Sequence, residues 1–572
     1  MKYRWMIAPD RPLLNTQLIE ELHVSPLLAQ CLVNRGLEAP ETAAAFLKPR
    51  LRSLSDPFLL PNLRLAVDRL WRARERTERI TIFGDYDVDG VTATALLLQV
   101  MRRLGWRVDA YLPHRLDEGY GLTQDAVANC LERGRPDLLL AVDCGSTATD
   151  TIRWLKDHRV DVVVLDHHQV AEPPPAAVAL VNPQLNPPGP NSLRELCSVG
   201  LAFKLAHGLV KEGRRRGLAE AERIDLRTLL DFVALGTLAD LVPVVAENRI
   251  LVTAGIERLN ATRRPGLQAL REVAQITNAI GPFEVGFQLA PRLNAAGRLE
   301  DATEALDLLM AEDEGRARRI AQSLDSRNRE RQNLERGIAE EVIGAIKARF
   351  NPKRDFVIVE GQLLWHVGVV GIVASRVLHE FYRPVIILGG DGHEWRGSGR
   401  SVEGFDLAAA LRECGDLLVR HGGHAMAAGL TIDPVNLPDF RARLNRIARN
   451  SLTAEQLRPP LRLDARARLA DLTVDRLREL GRLQPTGQAN PPVQLVVPRV
   501  TLQRKPAKIG REHQHVKFRV VEGSRSCEVV WWNGADRAWP EGTFDLACAP
   551  QINEFNGRTA VQLRLLDWRP AK

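Results

Sequence analysis

The stretch Arg79-Ile-Thr-Ile-Phe-Gly-Asp-Tyr-Asp-Val-Asp-Gly90 decides which fold the chain is expected to adopt. Ile80–Phe83 is a short apolar run that predicts a buried strand, and Val91–Leu104 has the apolar content of a helix. Aspartates stand between them at alternate positions, 85, 87 and 89. A strand, an acidic loop and a helix in this order are typical of a βαβ unit. We therefore expect an α/β fold with a parallel sheet that begins here.

Two more predicted strands of this region are followed directly by acidic residues. Leu138–Val142 precedes Asp143, and Val162–Leu165 precedes Asp166-His-His168. Because open parallel sheets bind ligands at the carboxyl ends of their strands, these side chains are expected to converge. A fourth acidic element, Gly236-Thr-Leu-Ala-Asp240, ends an apolar helix-like run. The intervening elements alternate as a parallel sheet requires: strand Val108–Leu112, a helix capped by Thr123 that runs through Cys130, and helix Thr149–Asp157.

Carboxylates held this close together predict a metal site. They would repel one another and raise one another's pKa values, and divalent cations remove that difficulty. Oxygen ligands with one or two imidazoles and no thiolate favour Mn²⁺ or Mg²⁺, and paired ions promote phosphoryl transfer. Taken alone, the segment Asp85-Tyr-Asp-Val-Asp-Gly90 is as consistent with an ordinary turn as with a metal-binding loop. It is no EF-hand, because position 12 is Leu96 rather than glutamate.

Five segments follow from changes in pattern along the chain. Pro173–Pro190 is expected to be a proline-rich loop, and the proline-free stretch Ala302–Arg349 a long helix. Further on, helix Val370–Phe381 separates the predicted strands Phe356–Val359 and Val385–Leu388. The alternating C-terminal runs around the Asn556-Gly557 turn predict a small β-barrel or sandwich. The expected segments are a lead-in segment (1–60), the catalytic sheet domain (61–300), a connecting helix (301–350), a smaller α/β domain (351–450) and the β domain (451–572).

Composition excludes several classes of protein. With 45% hydrophobic and 26% charged residues, the 572-residue chain is neither collagen-like nor largely disordered. No apolar run is long enough to span a bilayer, and residues 1–10 do not form a secretory signal. Seven scattered cysteines without a CxxC indicate reduced thiols, so we expect a cytoplasmic protein. The net charge of +7 permits a polyanionic partner.

The four acidic motifs together resemble those of the DHH phosphoesterase superfamily. The similarity extends over about residues 50 to 430 and is greatest to its bacterial single-strand-specific 5′→3′ DNA exonucleases. Further shared segments are Pro291-Arg-Leu-Asn-Ala-Ala-Gly-Arg298, Trp365-His-Val-Gly-Val-Val-Gly-Ile-Val-Ala-Ser-Arg376, Gly397-Ser-Gly-Arg-Ser401 and Gly422-Gly-His-Ala-Met-Ala-Ala-Gly429. The resemblance implies a DHH catalytic domain, a long connecting helix, a DHH-associated domain and a β-barrel of the oligonucleotide-binding (OB) type.

The resemblance also implies roles for the acidic residues. Two Mn²⁺ or Mg²⁺ ions would be held by five ligands, with Asp143 bridging both: Asp87, Asp89, Asp143, His167 and Asp240. Asp85 would support this group from within the same motif, and His168 would face the scissile phosphate. The sequence departs from the family at Cys144, where asparagine is usual, and at Val367, where a polar residue is usual.

Substrate-binding residues are implied in the same way. Ser398 and Arg400 would form a pocket for the 5′-terminal phosphate, with Arg115 on the opposite wall. Further residues are expected to contact the substrate or to brace the domain around it: Arg292, Asn294, Arg298, His366, Gly423 and His424. In the β domain, Trp531, Trp532 and Phe555 are candidates for stacking on bases, although one of two adjacent tryptophans must face inward in a strand.

The expected function is hydrolysis of single-stranded DNA from its 5′ end to mononucleotides, in DNA repair and recombination. The expected partner is single-stranded DNA, with a single-strand-binding protein and a helicase as further candidates and no membrane, and the chain is expected to be a monomer. Two alternatives remain at this point: a DHH enzyme for short oligonucleotides or cyclic dinucleotides, and a non-catalytic single-strand-binding factor. The presence of all five ligands argues against the last.

Overall fold

The computed structural model describes residues 3–119, 121–186, 193–299, 302–390 and 394–571, without the side chains of residues 115, 116, 298 and 299. The chain forms two compact units, which we name for their place in the sequence. The central unit contains residues 45–330 and 483–491, and the flanking unit contains residues 1–44, 331–482 and 492–572. No helix in the described residues is both long enough and apolar enough to cross a membrane.

The strands of the described residues are numbered in chain order. They are β1 (Arg4–Ile7), β2 (Ile80–Gly84), β3 (Val108–Tyr111), β4 (Leu138–Val142), β5 (Asp161–Leu165), β6 (Ala179–Val181), β7 (Ile358–Leu363), β8 (Val385–Gly390), β9 (Trp395–Arg400), β10 (Arg420–Gly423), β11 (Ala427–Ile432), β12 (Pro460–Leu463), β13 (Ala465–Arg466), β14 (Leu495–Leu502), β15 (Ala507–Ile509), β16 (His515–Glu522), β17 (Arg525–Trp531), β18 (Thr543–Phe555) and β19 (Arg558–Pro570).

The α-helices lie between these strands. Those within the central unit are Leu63–Glu75, Val88–Arg103, Arg115–Glu118, Gln124–Arg133, Thr149–Asp157, Ser198–Arg215, Ala219–Glu222, Leu230–Ala239, Ala246–Asn260, Pro265–Val273, Pro282–Glu284, Ala290–Leu299 and Thr303–Met310. Those of the flanking unit are Pro12–Leu22, Pro26–Val33, Val370–Phe381, Leu407–Arg412, Leu437–Ser451 and Val474–Leu480. Helix Pro40–Leu47 and the 36-residue helix Glu314–Arg349 contain residues of both units.

The central unit is built on the expected parallel sheet. Its strand order is β3-β2-β4-β5-β6, and every neighbouring pair is parallel. Alternate residues of the strands pack into two separate apolar cores, one with helices Val88–Arg103 and Ser198–Arg215, the other with helices Gln124–Arg133 and Thr149–Asp157. Helices therefore cover both faces, as a doubly wound α/β fold requires.

The predicted elements of this unit are present, with two differences. The stretch Ala302–Arg349, predicted as one long helix, forms two helices, Thr303–Met310 and Glu314–Arg349, with a break at residues 311–313. Helix Thr149–Asp157 and strand β4 have the predicted bounds, and the Thr123 side chain caps its helix by accepting a hydrogen bond from the Ala126 amide. The proline-rich loop predicted over Pro173–Pro190 contains the three-residue strand β6. Because β6 is so short and lies at the sheet edge, its apolar residues were too few to indicate a strand among the prolines.

The flanking unit contains a second, smaller α/β sheet in the order β10-β11-β9-β8-β7. Only β7 and β8 are parallel, and the other pairs are antiparallel. Helices Val370–Phe381 and Leu437–Ser451 belong to different apolar cores, so they cover opposite faces of this sheet. Helix Val370–Phe381 has the predicted bounds, whereas β7 begins two residues later than the predicted strand Phe356–Val359.

The C-terminal strands form the predicted barrel. Strand β14 pairs with β18 and also with β16, so the ring β14-β18-β19-β17-β16 closes on itself. The Asn556-Gly557 turn joins β18 to β19, and both residues have positive φ, as a tight hairpin requires. Trp531 is buried in the barrel core, whereas Trp532 is 51% exposed. The prediction that only one of these tryptophans faces inward is therefore confirmed.

The first residues of the chain form a strand that was not predicted. Strand β1 pairs in parallel with β12, which lies far later in the sequence. A pairing at this separation has no local sequence signal, because the two partners lack a shared turn. Residues 1–44 therefore fold with the end of the chain, and the predicted lead-in segment 1–60 is divided between the two units.

Segment 483–491 belongs to the central unit although residues before and after it belong to the flanking unit. Its anchor is Arg249, which is 1% exposed and donates to the carbonyl oxygens of Leu483 (3.0 Å) and Gln484 (2.7 Å), and to that of Phe46 (2.7 Å). The amide of Val244 donates to the carbonyl of Gln488 at 2.8 Å. One buried guanidinium therefore satisfies carbonyl groups of separate chain segments.

Replacement of this guanidinium tests its contribution to stability. Arg249→Met keeps most of the volume but leaves buried carbonyl groups without a donor, so the free energy of unfolding should fall by about 3 kcal/mol or more. Arg263→Met, at an exposed arginine of the same unit, should stay within about 0.5 kcal/mol of the parent. Urea unfolding followed by tryptophan fluorescence measures both. Equal losses in the two variants would contradict the assigned role.

Candidate metal centre

The strand order brings the acidic loops of the central unit to one point. The chain leaves β2 for β3 on one side and then crosses to β4 on the other, so the switch point of the sheet lies between β2 and β4. Asp85 and Asp143 directly follow these two strands, and Asp166 follows β5. Each of the three aspartate amides donates to the last carbonyl of the neighbouring strand, at 3.0–3.2 Å. The hydrogen-bond pattern of the sheet thus continues one residue beyond each strand, and it places the three aspartates side by side.

The backbone of the first motif explains its spacing. Asp87 caps helix Val88–Arg103, because its Oδ1 accepts hydrogen bonds from the amides of Asp89 (2.9 Å) and Gly90 (3.1 Å). A Cβ atom on Gly90 would lie 2.6 Å from the carbonyl oxygen of Asp85, so only glycine permits this close approach. The capped helix begins where the strand ends, and the three aspartates of the motif are held within one turn.

The start of helix Ser198–Arg215 supports two of the carboxylates. The amides of Ser198 and Val199 donate to the two carboxylate oxygens of Asp89, at 2.7 and 2.8 Å. The Ser198 hydroxyl donates to Oδ1 of Asp143 at 2.8 Å. An amide-rich helix N-terminus favours negative charge, so this helix stabilises the acidic group. Sequence reasoning missed Ser198, since a serine before an apolar helix has no metal-binding signature.

The imidazole of His167 lies among three carboxylates from different elements. Its Nε2 is 3.5 Å from Oδ1 of Asp143, 3.5 Å from Oδ2 of Asp240 and 3.9 Å from Oδ2 of Asp89. Asp240 follows the apolar helix Leu230–Ala239, as the sequence predicts. The structure therefore brings together ligand candidates that lie far apart in the sequence.

Asp166 orients His168 rather than joining the ligand candidates. Its Oδ1 accepts from Nδ1 of His168 at 2.8 Å, and its Oδ2 accepts from the amide of Ser146 at 3.0 Å. Burial alone would raise the pKa of Asp166, but the hydrogen bond and charge of His168 lower it below its ordinary value. Burial opposes the charge of His168, yet the hydrogen bond to Asp166 raises its pKa to about 9. His168 is therefore a positively charged, half-buried group beside the carboxylates.

Without a cation the cluster carries more negative charge than its surroundings accommodate. Burial, together with neighbouring aspartates, raises the pKa of Asp89 to about 6, that of Asp240 to about 9 and that of Asp143 well above its ordinary value. Burial and the charge of His168 lower the pKa of His167 to about 4. The imidazole is therefore neutral and available as a ligand, whereas Asp143 and Asp240 hold their protons more tightly than ordinary carboxyl groups until a cation replaces them.

The donor atoms fit divalent cations. Nε2 of His167 and Oδ2 of Asp240 are buried and make no hydrogen bond within the described residues. Three groups have ligand atoms within 4.8 Å of one another, and Asp143 belongs to the first two: Asp85, Asp87 and Asp143; Asp143, His167 and His168; Asp89, Cys197 and Asp240. Carboxylate oxygens with one imidazole nitrogen suit Mn²⁺ or Mg²⁺, and a shared aspartate suits a bridged pair of ions.

The predicted substrate residues of the central unit lie partly beside this cluster. Oδ1 of Asn294 accepts a hydrogen bond from the amide of Val88 at 3.1 Å, so this side chain braces the first motif. Arg292 is paired with Asp325 at 2.9 Å. The side chains of Arg115 and Arg298 lie outside the described residues. The roles predicted for these four residues toward a substrate stay predictions.

Ser398, Arg400 and Gly371 lie together in the flanking unit, and we call this group the cationic pocket. Ser398 and Arg400 of β9 lie opposite Ile387 and Val385 of β8, whose side chains pack with helix Val370–Phe381. Nη1 of Arg400 donates to Oγ of Ser398 at 3.0 Å. A Cβ atom on Gly371 would lie 3.0 Å from Oγ of Ser398 and 3.2 Å from Nη2 of Arg400, so glycine gives the pocket its space.

The charge in this pocket is not balanced by the described side chains. Burial lowers the pKa of Arg400, and no carboxylate within the described residues raises it. The first turn of helix Val370–Phe381 lies beside the guanidinium. A partly buried guanidinium beside the first turn of a helix has the charge and the donors that attract an anion.

Three further predicted residues lie in turns of the same sheet domain. Nδ1 of His366 accepts from the amide of Gly368 at 3.1 Å, in the turn that leads into helix Val370–Phe381. Gly423 ends β10 with a φ of +134°, where a Cβ atom would lie 2.5 Å from the Cα of Ala428. The exposed His424 begins the hairpin turn that leads into β11, and β11 pairs with β9.

Comparisons with families of known proteins match most of the chain. The N-terminal domain of the DHH family matches residues 79–237, and the DHHA1 domain matches residues 354–450. The RecJ OB domain matches residues 463–567, which contain the closed barrel. The expected fold class is thereby confirmed for the catalytic sheet, the smaller α/β sheet and the barrel.

Whole-length relatives are similar over nearly the entire chain. The single-stranded-DNA-specific exonuclease RecJ of Bacillus subtilis is 38% identical, over 99% of this chain and 71% of its own length. The RecJ of Escherichia coli is 34% identical, over 94% of this chain and 95% of its own. The solved structure of RecJ from Thermus thermophilus in complex with Mn²⁺ matches this chain with a TM-score of 0.85 at 31% identity. The match includes 100% of this chain and 80% of the chain in that structure. The Mg²⁺ complex gives a TM-score of 0.79 at 29% identity.

These similarities agree with the geometry of the carboxylate cluster. Its donor atoms suit Mn²⁺ and Mg²⁺, the metals present in those two solved structures. Identity of this extent over nearly the whole chain establishes common descent. The chain therefore belongs to the RecJ family of DHH proteins, whose curated relatives are single-stranded-DNA-specific exonucleases.

Proposed function

We propose that the chain hydrolyses single-stranded DNA processively from its 5′ end and releases mononucleotides. The observation that carries this proposal is the group of buried carboxylates around Nε2 of His167 at the switch point of the central sheet. Anionic side chains at this position serve phosphoryl transfer when divalent cations neutralise them. Membership of the RecJ family supports single-stranded DNA as the substrate.

Five side chains would hold two Mn²⁺ or Mg²⁺ ions: Asp87, Asp89, Asp143, His167 and Asp240. Asp143 would contact both ions, because its carboxylate belongs to two of the groups with ligand atoms within 4.8 Å. Bound ions supply Lewis acidity, which activates water and neutralises charge on a phosphodiester. Asp85 is 1% exposed and would support this group from the end of β2.

His168 would stabilise the charge that develops on the scissile phosphate. Its Nδ1 is committed to Asp166, so Nε2 is the ring nitrogen that would donate to a substrate oxygen. In the metal-free protein, the hydrogen bond and charge of Asp166 raise the pKa of His168 to about 9, which favours a positively charged ring at neutral pH. A fixed cation that contacts the leaving or non-bridging oxygen lowers the barrier to in-line attack.

Polarity would come from the cationic pocket of the flanking unit. Ser398 and Arg400, with the first turn of helix Val370–Phe381, offer hydrogen-bond donors to a terminal phosphate. An end anchored there presents one particular linkage for hydrolysis, which restricts cleavage to the 5′ end. His366, Gly423 and His424 would complete the pocket, and Arg115, Arg292 and Arg298 would contact the strand.

The barrel would bind the part of the DNA strand that follows the 5′ end. Trp532 is 51% exposed and Phe555 is 69% exposed, so both rings are available for stacking on bases. Barrels of this type commonly bind single-stranded nucleic acid. We further propose a cytoplasmic monomer that acts in DNA repair and recombination, with a helicase to supply single strands and a single-strand-binding protein as a second partner.

Removal of the shared carboxylate tests the metal assignment. Asp143→Asn should lower the rate of Mn²⁺-dependent nucleotide release by at least about a hundred-fold, the scale lost when one charge-stabilising group leaves an active site. Binding of single-stranded DNA, measured by fluorescence anisotropy without metal, should persist, because Arg and Lys contacts to phosphates dominate it.

Asp150→Asn is the matched control, since its side chain is 93% exposed in the same domain. This variant should keep the parental rate. Turnover of Asp143→Asn within a few-fold of the parent would refute the assignment of Asp143 as a shared ligand.

The anion pocket has a separate test. Arg400→Gln should reduce the preference for 5′-phosphorylated over 5′-hydroxyl single strands by roughly ten-fold or more, because a charge-assisted hydrogen bond contributes about 1.5–3 kcal/mol. The measurement is the ratio of kcat/KM for the two substrates. Arg446→Gln, on the helix that covers the opposite sheet face, should leave that ratio unchanged. An unaltered ratio in Arg400→Gln would assign the terminal phosphate elsewhere.

A further inference from the structure

Cys197 places a thiol among the proposed metal ligands. The residue immediately precedes helix Ser198–Arg215 and is 0% exposed. Its Sγ, a carboxylate oxygen of Asp89 and one of Asp240 all lie within 4.8 Å of one another. Nε2 of His167 is 3.9 Å and 3.5 Å from the same two carboxylates. One sulfur and two oxygen donors therefore form a compact group, and the imidazole of His167 borders both of its carboxylates.

The hard ions of the proposed reaction do not account for this thiol. Mn²⁺ and Mg²⁺ prefer oxygen donors, whereas sulfur donors favour softer ions such as Zn²⁺ and Cd²⁺. Four donors from cysteine, histidine and carboxylate side chains match the four-coordinate preference of Zn²⁺. A second observation concerns the other donors. Nε2 of His167 and Oδ2 of Asp240 are buried and make no hydrogen bond within the described residues.

The thiol is held in place by its neighbours. The two amides that follow it, those of Ser198 and Val199, both donate to Asp89, which fixes the start of the helix against that carboxylate. Sγ of Cys197 lies 3.5 Å from Oγ1 of Thr237, on the helix that leads to Asp240. The sulfur thus lies between the elements that carry the two carboxylates, and no large movement is needed for it to join them on one ion.

We propose that Cys197, His167, Asp89 and Asp240 form a binding site for a thiophilic divalent cation such as Zn²⁺ or Cd²⁺. This site shares three ligands with the proposed Mn²⁺ or Mg²⁺ centre, so the inference rests on the proposed function. Binding forms a sulfur–metal bond as the thiol proton leaves to solvent, with no change of oxidation state. Because the shared ligands cannot serve both ions, the thiophilic cation excludes the catalytic ions and inhibits hydrolysis.

Cys144 provides a matched control within the same domain. It is also buried and directly follows Asp143, yet its Sγ approaches the carbonyl oxygen of Phe83, at 4.0 Å. It belongs to none of the candidate metal groups in the described part of the chain. A general sensitivity of buried thiols to soft metals would affect both cysteines, whereas the proposed site involves Cys197 alone.

The direct test is a Cd²⁺ titration of the full-length, metal-free protein, followed by the ultraviolet charge-transfer absorption of thiolate bound to Cd²⁺. The parent and Cys144→Ser should show this band at one Cd²⁺ per chain, and Cys197→Ser should lack it. A band that persists in Cys197→Ser, or its absence from the parent with Cd²⁺ bound, would overturn the proposal. If Cys197→Ser fails to fold, Cys197→Ala offers a second substitution, and absence of the band from the parent overturns the proposal without any variant.

A kinetic measurement separates this inference from the proposed function. The Zn²⁺ concentration that halves Mn²⁺-dependent hydrolysis, relative to each protein's own uninhibited rate, should rise at least about ten-fold in Cys197→Ser, since even outer partners of metal ligands contribute that much to affinity. Cys144→Ser should match the parent. Equal Zn²⁺ sensitivity in Cys197→Ser would refute the thiophilic site and leave the nuclease proposal standing. No hydrolysis by the parent with Mn²⁺ would instead refute the nuclease proposal.

Discussion

Mutual repulsion among buried carboxylates is the interaction on which the central unit depends. Asp89 and Asp143 are each 1% exposed, and no arginine or lysine is paired with either of them within the described residues. The backbone holds them together through the start of helix Ser198–Arg215 and the ends of β2 and β4. A protein that keeps acids in this arrangement gains function from it rather than stability, because the repulsion is relieved only by taking up protons or by binding cations.

The fold distributes the two kinds of charge that hydrolysis of DNA needs. Negative side chains that suit metal ions belong to the central unit, and the half-buried Arg400, which we propose binds a terminal phosphate, belongs to the flanking unit. Common structural features hold these charged side chains in place. Asp87 caps a helix, Asp166 fixes an imidazole, and Gly371 leaves space beside a guanidinium. The chemistry therefore requires few residues beyond those that build the sheets and their helices.

How much of the fold and of the site the sequence predicts depends on how far apart the contributing residues lie along the chain. The loop Asp85-Tyr-Asp-Val-Asp-Gly90 and the acids after β4 and β5 are local patterns, so the sheet edge and its ligand candidates followed from the sequence. The hydrogen bond from Ser198 to Asp143 and the position of Cys197 did not, because they depend on how a distant helix packs against the sheet.

Pairings between segments far apart in the sequence could not be predicted for the same reason. Strand β1 has no partner near it in sequence, and segment 483–491 joins the central unit only through contacts with residues such as Arg249. The role of Asp166 in holding His168 also required coordinates, since adjacent acidic and imidazole residues can equally bind one ion. Local periodicity predicts elements, whereas the contacts between elements decide which side chains share a site.

The number and proximity of bound ions test the central claim most directly. Electron paramagnetic resonance of the full-length protein titrated with Mn²⁺ reports both quantities, because two ions bridged by one carboxylate give a spin-coupled spectrum. We predict two Mn²⁺ per chain with that coupled signal. A single isolated Mn²⁺, or two ions without coupling, would contradict a paired centre at the edge of the central sheet.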